Sequence, residues 1–175
     1  MNEVIKAIKE RRSVRSFKPD LPPKELIDQV IEAGLYAASG MGQQPVITIA
    51  VTDPAMRARI SDANRAIMGV PEGTDPFYGA PVILVVLANK SRPTTYMNDG
   101  SLVLGNMMLA AHSLGLGSIW IHRAKEEFEQ PEFKQLLKDL GIEGEWEGIG
   151  HCAIGWAAGP IPPAKERKPG RVYYI

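Results

Sequence analysis

The sequence predicts an α+β fold in one domain spanning residues 1–175. Three observations predict it. Helix-period and strand-like segments are interleaved without the strict βαβ alternation of a doubly wound sheet. Two short runs, 46–51 and 81–88, are nearly continuous in β-branched and aliphatic residues, the pattern of strands buried on both faces. No repeat, low-complexity run or linker divides the chain, and its length suffices to bury a sizeable core.

The elements follow in order. Val4, Ile5 and Ile8 share one face of a first helix that ends near the arginines. A second helix opens at "DLPPKEL", with Pro22 and Pro23 suited to its first turn and Leu26, Ile27, Val30, Ile31 and Leu35 on its buried face. "SGMGQQP" is a loop leading into the strand at 46–51. Asp53 caps, and Pro54 opens, a helix reaching about Met68. A long irregular loop, "GVPEGTDPFYG", precedes the strand at 81–88. An apolar helix covers about 99–114, a strand 118–122, a charged helix about 125–140 and a strand 148–155. The Pro-rich tail ends in "RVYYI", which reads as β-like.

Composition excludes several functions. Twenty basic residues balance twenty acidic ones, and the pI is near 6.8, without the broad basic face of a general nucleic-acid binder. The single cysteine, Cys152, permits no intrachain disulfide framework, and its apolar setting "GHCAIGW" reads as an inert core thiol. The amphipathic, acid-containing start "MNEVIKAIKE" is unlike a signal peptide, so a cytoplasmic location is expected. Residues 100–121 carry no charge and approach the length of a bilayer span. Asn106, His112, three serines and the "GLG" break mark them instead as a buried helix, a turn and a strand. A helix apolar on nearly all sides in so small a domain calls for a second subunit to cover one face.

"ERRSVRSFKPD" places Arg11, Arg12 and Arg15 within five positions, with no acid until Asp20. Two readings stand: solvated cations at a helix C-terminus, or a site for an anion. A second basic group, Lys165, Arg167, Lys168 and Arg171, lies in the tail, and arginine's planar fork suits phosphate. The glycine turns "SGMG" and "GLGS" match neither a dinucleotide fingerprint nor a P-loop. His112, His122 and His151 show no metal-ligand spacing, and Ser13, Ser39 and Ser118 lack a nucleophile elbow.

The ordered set "RRSVRSF", "AASGMGQQP", "FYGAPV", "LAAHSLGLGSIWI" and "KERKPGR", running over residues 5–167, resembles the nitroreductase family of FMN-dependent oxidoreductases. The resemblance implies an α/β sandwich with a central mixed sheet flanked by helices, forming an intertwined homodimer with FMN at the subunit interface. It implies that Arg11, Arg12 and Ser13 contact the FMN phosphate and ribityl chain, and that Arg15 reaches the pyrimidine edge of the ring. It further implies that Lys165 and Arg167 bind the phosphate, that Ala38, Ser39 and Gly40 come from the partner subunit, and that Trp120, Ile121 and His122 form the strand end near flavin N5 and O4. The expected activity is ping-pong hydride transfer from NADH or NADPH to a nitroaromatic, a quinone or a similar acceptor, with no residue assigned as acid or base. A same-fold dehydrogenase or reductive dehalogenase with a dedicated substrate, and a non-catalytic flavin-binding protein, are the alternatives.

The sequence departs from the family pattern at Gly40, Gly42 and Val46, where many members carry a serine or small residue, an asparagine and a tryptophan. His122 stands where many have an acid or a glycine. These changes bear on the substrate pocket more than on the cofactor. The loop carrying Phe77 and Tyr78 is expected to line the mouth of the site.

Overall fold

A computed structural model describes residues 1–91 and 94–175. Its centre is a four-stranded sheet of β1 (Val46–Val51), β2 (Val82–Asn89), β3 (Gly117–Ile121) and β4 (Trp146–Gly155), in the order β1-β2-β4-β3. The helices are α1 (Glu3–Glu10), α2 (Lys24–Leu35), α3 (Pro54–Met68), α4 (Tyr96–Ser113), α5 (Ala124–Phe128) and α6 (Pro131–Asp139). The α+β expectation holds. The sheet, however, is antiparallel throughout and not mixed. β1 and β4 run the same way but are separated by β2, so no two neighbouring strands are parallel.

β2 is buried on both faces, which is why its sequence lacks alternation. Ile83, Val85 and Leu87 face one layer, packing with Ile60 of α3, Phe128 of α5 and Phe133 and Leu137 of α6. Val82, Leu84 and Val86 face the other, with Ile27 and Val30 of α2 and Val103, Leu104, Met107 and Ala111 of α4. β1 is a half-buried edge strand, less covered than its β-branched run predicts.

Local chemistry explains most element ends. Asp53 Oδ1 accepts from Met56 N–H at 2.8 Å, Pro54 fills the first helical position of α3, and Gly69 closes the helix in the left-handed region. α2 begins one residue after Pro23, which sits at its cap. The charged segment forms two helices instead of one. Pro131 starts α6 and holds Gln130 extended, since a residue before proline is disfavoured in the helical region. Gly148 lets β4 pass beneath α5, because a Cβ there would overlap the Ala124 carbonyl.

One connection positions the site. Residues 13–18 leave α1 and lace the sheet's β3 edge to the chain beyond β4. Ser13 bridges Ser118, and Val14 N–H donates to Ser118 O at 3.0 Å. Lys18 N–H donates to Trp156 O at 2.8 Å, and Ala158 N–H to Ser16 O at 3.0 Å. Val14 and Phe17 are buried beneath this lacing, and Arg15 and Ser16 face outward.

Several apolar surfaces stay uncovered within one chain. Val4, Ile5 and Ile8, the apolar face of α1, are each more than half exposed, and Met97 and Leu102 of α4 are half exposed. "RVYYI" forms no strand here, and Val172, Tyr173, Tyr174 and Ile175 are exposed. A terminal strand needs a sheet edge to pair with, and the tail reaches none in its own chain. No helix among the described residues is long and apolar enough to cross a membrane.

Candidate functional site

Two groups predicted far apart in sequence meet at the β3 edge. The bridge between Ser13 and Ser118 brings the arginine segment alongside the strand that carries Trp120 and Ile121. Arg11 and Arg12 are half-buried, and neither they, Arg15, Lys165 nor Arg167 forms a salt bridge among the described residues. Arg11 Nη1 and Arg12 Nε are buried without a hydrogen-bond partner among the described residues. Arg12 Nη1 donates to Arg11 O. Burial and the like charge of Arg12 together hold the Arg11 guanidinium below its ordinary pKa. Buried, unpartnered donors of one charge are costly unless an anion completes them. The donor set therefore fits a phosphate.

The residues that follow in sequence, Ser13, Val14, Arg15 and Ser16, line a cleft of about 310 Å³ together with residues 159–162. The start of the tail thus runs along the arginine segment. Lys165 and Arg167 follow a few residues later, exposed and in no hydrogen bond among the described residues. Trp120 is 43% exposed, its ring 5.4 Å from that of His122, which is also exposed. Ile121 is buried, so only its backbone can serve a ligand.

Ala38, Ser39 and Gly40 lie elsewhere. Gly40 N–H donates to Asp99 Oδ1 at 3.1 Å, and Ser39 Oγ accepts from Gln44 N–H at 3.0 Å. This loop enters β1 at the corner where Val46 pairs with Ala88. The arginine segment meets β3 at Ser118, opposite Ile154, which in turn pairs with Val82 at the other end of β2. The two halves of the predicted site occupy diagonally opposite corners of the sheet, three strand spacings apart, or about 14 Å across the strands alone.

The loop before β2 is also organised differently from expectation. Asp75 accepts from Ser61 Oγ at 2.9 Å, Phe77 N–H at 3.0 Å and Gly79 N–H at 2.7 Å, and pairs with Arg57. Partial burial pushes its carboxyl upward, but the Arg57 bond and the loop N–H groups outweigh this and hold its pKa below the ordinary value. Phe77 is fully buried and cannot line a mouth; its ring packs edge-on against His151, centroids 5.2 Å apart. Tyr78 is the exposed member, held at φ 55°.

Sequence reasoning missed a buried polar cluster behind the end of β3. His151 Nε2 lies 2.7 Å from Glu127 Oε2, and His151 Nδ1 lies 3.3 Å from Ile121 O. Asn64 Nδ2 donates to Glu127 Oε1 and, at 2.8 Å, to His122 O. All three side chains are fully buried. The available signal was a lone histidine inside an apolar strand, which must find a partner; Glu127 sits in a charged run that reads as solvated. Cys152 is buried as expected, and burial pushes its thiol up to about 12.

Comparisons with known proteins agree with this architecture. The sequence profile of the Nitroreductase family matches residues 8–156. The chain is 30% identical over 171 residues, 81% of its length, to a Bacillus subtilis protein named FMN reductase [NAD(P)H]. It is 27% identical over 173 residues to an iodotyrosine deiodinase of Thermotoga neapolitana, covering 88% of each chain. A crystal structure of a nitroreductase with bound FMN from Bacteroides fragilis superposes with a TM-score of 0.88 over 100% of both chains, at 29% identity. The chain spans 66% of the length of the Bacillus relative, and 60% of that of a Methanothermobacter thermautotrophicus relative 34% identical over 121 residues.

Proposed function

The chain belongs to the nitroreductase family, and on that premise we propose that it is an FMN-dependent NAD(P)H oxidoreductase acting on an electron-poor acceptor. The observation that carries this reading is the pair of buried guanidinium nitrogens on Arg11 and Arg12 that have no hydrogen-bond partner among the described residues, on the segment that continues into the Ser13–Ser16 cleft. They are the donors a phosphate monoester requires, and the FMN-bound relative has the same fold.

Bound FMN would supply the hydride chemistry between a nicotinamide donor and a nitroaromatic, quinone or similar acceptor, in a ping-pong cycle. The chain's residues bind and orient. Arg11, Arg12 and Ser13 would hold the phosphate and ribityl chain, with Lys165 and Arg167 closing over the phosphate from the tail. Arg15, exposed and unpaired among the described residues, would place a cation at the pyrimidine edge, where negative charge accumulates on reduction. The backbone at Trp120, Ile121 and His122 would border the reacting edge of the ring. No side chain is assigned as acid or base.

A homodimer completes the site in this reading. Ala38, Ser39 and Gly40 lie at the far corner of the sheet in their own chain, and a two-fold partner would bring its copy to the flavin. The same partner would cover the exposed faces of α1 and α4 and offer an edge to the tail. Light scattering should return about twice 19.1 kDa; a yellow monomer would exclude the shared site.

The visible spectrum of the purified protein, before and after anaerobic NADH or NADPH, tests the function. Bleaching of bound flavin supports it. Flavin that stays oxidised favours a binding protein without this activity, and a chain with no affinity for FMN removes the reading. A second reading, reductive dehalogenation, is favoured by the deiodinase relative that matches this chain over nearly its full length. Turnover with halophenols but not with nitrofurazone or menadione would select it.

A further inference from the structure

The structure assigns to Asn64, Glu127 and His151 a positioning role: they fix the end of β3 so that the turn at His122 and Arg123 presents one backbone geometry to the flavin. The role at the ring rests on the flavin reading above; the anchoring itself does not. Three different elements, α3, α5 and β4, each contribute one buried side chain, and two bonds converge on consecutive carbonyls, Ile121 O and His122 O. The next residue, Arg123, has φ 80°. A non-glycine residue keeps that conformation where its neighbours over-determine it. Phe77 closes the remaining side of the imidazole.

The bonding pattern fixes the donors. Ile121 O can only accept, so His151 Nδ1 carries a hydrogen. The 2.7 Å contact between Nε2 and Glu127 Oε2 then needs a further proton between the two groups. Asn64 spends both amide hydrogens on Glu127 Oε1 and His122 O, which sets its orientation. A glutamine at position 127 could accept from Asn64 and donate to a neutral His151 whose Nδ1–H still reaches Ile121 O. Glu127→Gln therefore preserves every bond, and Glu127→Ala breaks two.

Amide exchange in the FMN-free protein tests the anchoring, and the midpoint potential of bound FMN tests its consequence. In Glu127→Ala, the amide of Ile121, in the β3–β4 ladder, and that of residue 127, which donates to Arg123 O, should exchange about tenfold faster or more, the factor carried by losing a charge-assisted bond, with β2 amides still protected. The potential should move away from wild type. Glu127→Gln should restore both. Asn64→Ser releases His122 O and leaves the Glu127–His151 contact in place, so it tests the same points if Glu127→Ala does not fold. Unchanged exchange at 121 and 127 overturns the anchoring. Faster exchange with a wild-type potential overturns the positioning role and leaves a structural one. A wild-type chain that binds no FMN overturns the proposed function and the flavin half of this assignment, with exchange alone then judging the anchor.

Discussion

Arg11→Ala removes a guanidinium whose Nη1 is buried without a partner among the described residues and which sits beside the like charge of Arg12. Two effects follow, opposite in sign. Without cofactor, the substitution relieves a desolvated cation and a repulsion, so the unfolding midpoint of the FMN-free protein should stay level or rise. With cofactor, it deletes a charge-assisted hydrogen bond to phosphate, about 1.5–3 kcal/mol. That is roughly a 10- to 150-fold rise in the dissociation constant. Quenching of flavin fluorescence on titration with FMN-free protein measures it. Riboflavin, which lacks the phosphate, is the control: its affinity should be the same in mutant and wild type. Arg167→Ala should show the same FMN-specific loss. An equal loss for riboflavin and FMN, or none for either, would refute the assignment of Arg11 to the phosphate.

Arg15→Ala should lower the midpoint potential of bound FMN while retaining most of the flavin, as spectroelectrochemistry would show; an unaltered potential removes Arg15 from the ring edge. Because the folded-state pKa of Asp75 lies below its ordinary value of 3.8, its contribution to stability is full above that value and is lost as pH falls through the folded value. Protection factors at Phe77 and Gly79 should therefore fall only in acid, and Asp75→Asn should bring the same loosening to neutral pH, at a cost of about 1.5–3 kcal/mol measured by denaturant unfolding. Gly148→Ala forces a Cβ into the Ala124 carbonyl, and relief requires moving α5 or β4. It should destabilise by about 3 kcal/mol or more, and a neutral effect in urea titration would mean that α5 shifts freely.

The legible parts of the fold are those whose causes are local. The Asp53–Pro54 start of α3, the runs of β1 and β2 and the apolar face of α4 all carry their signals within a few residues. The break between α5 and α6 was also encoded, at Pro131, but a continuous run of charge and leucine hid it. What the sequence withheld was long-range. Asn64, Glu127 and His151 meet only because α3, α5 and β4 pack behind one strand end, and no spacing announces it. Phe77 reads as a loop aromatic beside Tyr78, and the Asp75 anchor turns one inward and the other out. At the site, the arginine cluster was visible as composition. Its lack of counter-ions among the described residues, which favours an anion site over a solvated helix end, is a property of the fold that no local pattern displays.

The lacing of residues 13–18 also constrains the time course of assembly. Three of its four backbone partners, Ser118, Trp156 and Ala158, are more than a hundred residues away in sequence, and the fourth, Tyr78, is about sixty, so the cradle proposed for the phosphate closes only after β3 and β4 are in register. Contacts of such separation form late, because loop closure must precede them. A ligand held by Arg11 and Arg12 therefore meets no site until the folding barrier has been crossed. It should leave the refolding rate nearly unchanged and act on the reverse step, slowing escape from the native state. In a chevron plot the cofactor would lower the unfolding limb alone, lengthening the lifetime of the folded chain without hastening its arrival.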